Sequence, residues 1–288
     1  MSILNFGKLT KYACARLFSE CSIVDASNLK LPAMTLAPNC YESMFYNCTN
    51  LIAAPTLPAT ILVEGCYLGM FMGCSSLTTA PALPATTLAV SCYEAMFSEC
   101  TSLVTTPELP VTLLSRWCYK DMFYGCSSLV TAHELPATTL ADGCYNQMFS
   151  GCTSLTTAPE LPVTTLARYC YTNMFNGCTS LTTAPLLPAI VLADGCYSDM
   201  FYRCTSLVTA PELPATTLAQ YCYTRMFQYC SSLNYIKCLA TNKSAYGCTT
   251  NWVSGVAASG TFVKDANTTW TTGANGAPSG WTVENYTE

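Results

Sequence analysis

Charge is scarce in this chain. Lysine and arginine together number 12 and aspartate and glutamate 17 among 288 residues, with a single histidine, His133. A net charge of −5 without a basic run lacks the electrostatic footprint of nucleic-acid binding. No polybasic stretch is present to hold an anionic membrane. Long apolar runs are missing too, and nothing approaches the ~20 residues of a membrane span. At the amino terminus, Lys8 and Lys11 interrupt the unbroken apolar run of roughly 7–15 residues that a secretory signal requires. No export address is read there. Closely spaced cysteine pairs of the kind zinc prefers are also absent, the tightest spacing being the seven residues from Cys14 to Cys21. There is no G-x-x-x-x-G-K-[ST] phosphate loop. His133 stands where other units have Pro159 or Pro185, a substituted repeat position that leaves no base for a serine or cysteine triad. The expectation is a protein that is not an enzyme and that carries no metal and no cofactor.

Apolar residues are abundant instead, at 51% with 20 cysteines and 18 tyrosines counted, which is the balance of a chain that buries a core. Their order is periodic. Cysteines fall at 40, 66, 92, 118, 144, 170, 196 and 222, and a second series follows eight residues behind at 48, 74, 100, 126, 152, 178, 204 and 230. With a looser first unit holding Cys14, Phe18 and Cys21, nine units of the 26-residue type are read. A terminal unit that departs from consensus is what a capping repeat looks like.

Within a unit, Cys144-Tyr145-x-x-Met148-Phe149-x-x-Cys152 repeats its apolar residues at about four-residue spacing, which predicts a short helix. Leu155–Ala158 reads as a strand, Pro159 and Pro162 break extended pairing, and Thr164–Leu166 reads as a second short extended piece. The expected fold class is therefore an α/β repeat solenoid, leucine-rich-repeat-like, with short parallel strands plus one short helix per ~26-residue repeat. Residues 1–21 form an amino-terminal cap and atypical first repeat, 22–240 the solenoid, and 241–288 a carboxy-terminal cap of short strands. The alternative for this Gly-, Thr- and Trp-rich tail is a separate binding module.

The segment Met148-Phe149-x-x-Cys152-Thr153-Ser154-Leu155 resembles the Ala-Phe-x-x-Cys-x-x-Leu signature of BspA-like leucine-rich repeats, and Leu161-Pro162 is similar to that family's Ile-Pro. The resemblance spans about residues 12–240, although the family's usual unit is about three residues shorter and has no counterpart for the first cysteine of each pair. It implies a bacterial surface or secreted protein that binds host matrix, mucin or other cells, and it brings no catalytic residues.

Three readings of the cysteines stand. Buried free thiols acting as small core residues are one, cross-repeat disulfides another, and structural metal a third. Cysteines eight apart on one helix are separated by ~12 Å, beyond the ~7 Å limit for a disulfide. Packed helices ~8–10 Å apart also place like positions too far from one another.

Candidate ligand-binding residues come from the positions that vary. Arg116-Trp117, Arg168-Tyr169 and Gln220-Tyr221 alternate with Asp142-Gly143 and Asp194-Gly195, a 52-residue superperiod. One reading is structural, a charge ladder of Arg116, Asp142, Arg168 and Asp194 with large rings packed beside glycines. The other is an aromatic stripe of Trp117, Tyr169 and Tyr221 flanked by Arg116 and Arg168, extended by Tyr124, Tyr202 and Tyr229. Glu108, Glu134, Glu160 and Glu212 share one repeat position and predict an exposed acidic column rather than an acid/base pair. Thr78-Thr79, Thr156-Thr157 and Thr182-Thr183 suggest an ice-binding array, but proline interruptions and one inward-turned threonine per pair argue against it.

The function expected is adhesion or recognition of a protein or glycan on a host or bacterial surface, by a monomer or weak oligomer. A receptor-binding or decoration protein of a bacteriophage, located in the virion, and a cytoplasmic interaction scaffold are the alternatives.

Overall fold

The computed structural model describes residues 9–286. The expected signal-free start and the opening of the expected amino-terminal cap, residues 1–8, lie outside the described residues.

The segments read as short helices are chains of turns, and among the described residues no helix is present. The reason is visible in one coil. Gly143, Gln147 and Gly151 take φ of 61°, 56° and 76°, and a left-handed residue at every fourth position stops an α-helix from propagating. Between them, alternate N–H groups close local turns. Cys144 donates to the Ala141 carbonyl (3.1 Å), Asn146 to Gly143 (3.1 Å), Met148 to Tyr145 (3.2 Å) and Ser150 to Gln147 (3.1 Å). The remaining N–H groups reach the next coil, where Gly143 donates to Arg168 (2.9 Å), Tyr145 to Cys170 (3.1 Å), Gln147 to Thr172 (2.9 Å) and Phe149 to Met174 (2.9 Å). The period of four is thus a turn period. It points Cys-Tyr and Met-Phe pairs inward and leaves the two residues after each pair on the outer wall.

The first left-handed position of the wall recurs at Tyr12, Asn39, Gly65, Ser91, Trp117, Gly143, Tyr169, Gly195, Tyr221 and Gly247. Among the described residues the turn wall therefore winds ten coils, one more than the nine units read from the cysteines. In the first coil the Cys14 N–H donates to the Cys40 carbonyl (2.8 Å) as Tyr41 does to Cys66 (3.0 Å), so Cys14 stands in the tyrosine column. That is why it is one place out of the cysteine register.

Inside, like residues stack. Phenylalanine rings from Phe18 to Phe227 follow one another at centroid distances of 5.4–5.8 Å. Tyrosine rings from Tyr41 to Tyr223 do so at 5.7–6.3 Å. Each stacked pair is worth about 0.5–1.5 kcal/mol beyond the area it buries. From the methionine position of the tenth coil, Trp252 covers both columns, with its ring 6.1 Å from Tyr223 and 6.2 Å from Phe227. The ladder's donors all point toward the carboxy-terminal end. The last coil's are met by the following chain, Asn251 donating to Asn275 Oδ1 (2.6 Å) and Val253 to the Ala274 carbonyl (3.3 Å).

All twenty cysteines are free thiols, and all but Cys21 are buried. The helix spacings used to separate them do not apply, because successive coils are joined directly by backbone hydrogen bonds such as Tyr145 N–H to the Cys170 carbonyl (3.1 Å). The second column has its own role. Cys74 Sγ donates to the Phe45 carbonyl (3.1 Å), Cys126 to Phe97 (3.1 Å) and Cys178 to Phe149 (3.1 Å), each reaching back one coil. A thiol fits there as a small apolar residue that also carries a weak donor. Burial pushes the thiols up, to about 12 at Cys126, Cys178 and Cys230.

The two remaining walls are held by single parallel bridges, Thr157↔Thr183 on one and Thr165↔Val191 on the other. Both threonines of Thr78-Thr79, Thr156-Thr157 and Thr182-Thr183 are exposed, against the expectation that one turns inward. Among the described residues, bridges lengthen into strands only at the carboxy-terminal end. These are β1 (Tyr235–Cys238), β2 (Thr261–Asp265) and β3 (Thr282–Tyr286), parallel and in that order.

Candidate ligand-binding stripe on the turn wall

Trp117, Tyr169 and Tyr221 occupy the same left-handed position in coils two apart, with φ of 56°, 55° and 56°. In the coil that follows each ring that position is Gly143, Gly195 and Gly247. The pairing is steric. A Cβ on Gly143 would collide with Cδ1 and Nε1 of Trp117, and one on Gly195 with Cδ1 and Cε1 of Tyr169. On Gly247 it would lie 2.6 Å from Tyr221 Cδ1 and 2.7 Å from Cε1. Each ring therefore rests one edge in the space that glycine vacates. The rings remain accessible, at 37% for Trp117, 47% for Tyr169 and 37% for Tyr221.

The polar residues beside them are only partly a ladder. The Arg168 N–H donates to Asp142 Oδ1 (3.1 Å) and its guanidinium lies 3.8 Å from Asp194. Arg116 instead lies over the Trp117 ring, 3.9 Å from its centroid, a cation–π contact. Exposed ion pairs of this kind contribute ~0–1 kcal/mol each.

Tyr124, Tyr202 and Tyr229 are not brought into this row. They lie at the far end of the turn run, where Tyr202 and Tyr229 meet edge to face at 5.6 Å with Arg203 over both rings. Tyr124 stands apart from that pair, in the coil of Trp117. Tyr246 joins the row unannounced. It is 71% exposed and meets Tyr221 edge to face at 5.4 Å. The signal was present in Gly247 and Cys248, 26 residues after Tyr221 and Cys222, in a tail that otherwise departs from consensus.

Elsewhere the surface offers little chemistry. His133 Nδ1 lies 3.2 Å from Thr106 Oγ1, whose oxygen also accepts the His133 backbone N–H (2.8 Å). Glu108, Glu134, Glu160 and Glu212 are all exposed, and Glu212 pairs with Lys237 at 2.9 Å. Among the described residues no three His, Cys, Asp or Glu side chains converge as metal ligands. Nor is any helix long and apolar enough to cross a membrane.

Comparison with known proteins agrees on the repeat. The model of the BspA type leucine rich repeat region matches in six copies, over residues 2–130, 68–207 and 149–247. A crystal structure of a leucine-rich repeat protein from Bacteroides ovatus superposes at a TM-score of 0.43 with 16% identity, over 94% of this chain and 77% of that one. No functionally curated protein matches.

Proposed function

Since the chain belongs to the BspA-type leucine-rich repeat family, we propose that it is a non-enzymatic binding protein that recognises a glycan or protein on a host or bacterial surface. The family's association with bacterial surface proteins supports that setting. One observation carries the choice of face: three exposed aromatic rings, each seated against a glycine of the following coil, recur at two-coil spacing along the turn wall. Aromatic side chains with one free face stack on sugars and anchor protein interfaces. An array of them gains by avidity, since the second and third contacts are intramolecular once the first has formed.

The test is retention of labelled protein on host matrix and mucin, beside retention on intact bacterial cells. Retention on host material is the expected result. Retention on bacterial cells alone shifts the reading to a bacteriophage receptor-binding or decoration protein. Absence from both leaves the interaction scaffold and contradicts surface recognition.

A further inference from the structure

Away from the turn wall, aliphatic side chains break through the surface together in one coil. Where the coil before it has Glu160, Thr164 and Thr165, and the coil after it Glu212, Thr216 and Thr217, this coil has Leu186, Ile190 and Val191. Leu187 and Ala189 are buried while Leu186, Pro188 and Ile190 are exposed. The run is therefore extended, and its alternate residues face outward together. Leu186 and Ile190 are 68% and 66% accessible, and Val191, bridged to Thr165, is 72%. Single exposed aliphatics are ordinary, but a contiguous ridge of them marks an interaction site. A groove of about 550 Å³ opens beside the ridge, with Thr164, Thr165, Pro188, Ile190 and Val191 in its walls.

Charge identifies the occupant. Between Thr49 and Ile236 the lysine and arginine side chains are Arg116, Lys120, Arg168, Arg203 and Arg225, and all five stand on the turn wall. The stretches that join successive turn runs carry none. Their carboxylates are Glu108, Glu134, Glu160 and Glu212, all at the repeat position of Leu186. Glu212 is paired with Lys237, whereas among the described residues no lysine or arginine pairs with the other three. An unneutralised acidic row thus leads, coil by coil, to the apolar ridge.

Whatever covers the ridge lies against that row, so complementarity requires positive charge. A second copy set ridge to ridge about a two-fold axis would bring Glu160 against Glu160 or Glu212 of its partner, like against like. An anionic lipid surface is repelled for the same reason. Branched aliphatics also lack the flat ring face on which a sugar stacks.

We propose that Leu186, Ile190 and Val191, with the row Glu108, Glu134 and Glu160, form a docking surface for a cationic segment of a partner protein. The segment sets basic side chains along the row and an aliphatic side chain on the ridge. This face is separate from the turn wall and does not depend on the reading of the aromatic row.

The experiment is fluorescence anisotropy of three labelled peptides of equal length, made of lysine and leucine, lysine and serine, or glutamate and leucine, titrated with the full chain. The lysine–leucine peptide should bind at least about tenfold more tightly than the lysine–serine peptide, and the glutamate–leucine peptide should not bind. Leu186→Thr/Ile190→Thr/Val191→Thr supplies residues that other coils hold at these positions, as Thr56, Thr164 and Thr165. It leaves the charge unchanged and should lower lysine–leucine affinity at least about tenfold, with the fold retained by circular dichroism. Glu134→Gln/Glu160→Gln should lower it at least about fivefold and weaken its dependence on salt. No binding of the lysine–leucine peptide, equal binding of the lysine–serine peptide, or an affinity untouched by the triple variant overturns the proposal. Sedimentation of the chain alone should show no association through this face. Self-association that the triple variant abolishes would assign the ridge to a second copy, and phosphatidylserine vesicle binding lost in that variant would assign it to a membrane; either result overturns the proposal.

Discussion

Raising the pH should begin to destabilise this protein near pH 9 and unfold it at about pH 10. Eight core thiols, Cys74, Cys92, Cys126, Cys144, Cys178, Cys196, Cys230 and Cys238, are pushed by burial from an ordinary value of 9.0 to about 12. The folded chain keeps these protons while the unfolded chain releases them, so stability is whole below pH 9 and falls as pH rises toward 12. At about pH 10 each such thiol costs the folded state about 1.4 kcal/mol. Eight together cost on the order of 10 kcal/mol, comparable to the ~5–15 kcal/mol that holds a typical domain. The buried tyrosines, Tyr93 and Tyr145 among them, are raised by burial in the same sense and steepen the loss. The assay is far-ultraviolet circular dichroism against pH under argon with a non-thiol reductant, with thiolate absorbance recorded on the same samples. Thiolate signal and loss of structure should rise together above about pH 9. A fold unchanged at about pH 11 with silent thiols, or thiols that titrate near 9 in an intact fold, refutes the reasoning.

Three further outcomes follow from the stacked core. Phe149→Ala removes the middle of a buried ring column and should destabilise by about 3–5 kcal/mol. Because coils interact only with neighbours, thermal melting should split into two phases rather than shift as one. Trp252→Ala uncovers the ends of both columns and should cost about 3–5 kcal/mol, with earlier loss of amide protection in the ninth and tenth coils by hydrogen exchange. Native alkylation with iodoacetamide near neutral pH should label Cys21 alone, and unfolding should expose all twenty thiols to mass spectrometry.

The solenoid was legible in the sequence because two cysteine series at a fixed interval admit no other economical reading. The local geometry was not. Over nine residues, apolar pairs every four positions fit a helix of 3.6 residues per turn as well as a chain of four-residue turns. What separates the two is the residue two places after each inward pair. Asn47, Gly65, Gly73, Gly125, Gly143, Asn173 and Gly177 are the types that accept left-handed φ. Ala95, Gln147 and Arg225 occupy the same conformation, and they mask the signal in other units. The mistaken helix carried the mistaken cysteine spacing with it. At the candidate site, the pairing of Trp117 and Tyr169 with glycines was readable from the superperiod, and contact distances then seated the rings. Tyr124, Tyr202 and Tyr229 failed to join them because seven or eight residues along a turn run carry the chain to the far end of the wall, whereas on a helix they return it toward the same face. The ion-pair column failed at Arg116, where the adjacent ring offered a nearer partner than the carboxylate in the next coil.

The account turns on the claim that the aromatic row binds rather than merely packs. The direct measurement compares wild type with the Trp117→Ala/Tyr169→Ala double variant, recording retention on the surface that holds the wild type together with melting temperature. Retention reduced at least tenfold, about 1.4 kcal/mol or more in binding free energy, with an unchanged melting temperature is the predicted result. A lowered melting temperature with retention intact would assign the rings to packing against Gly143 and Gly195 and contradict the claim.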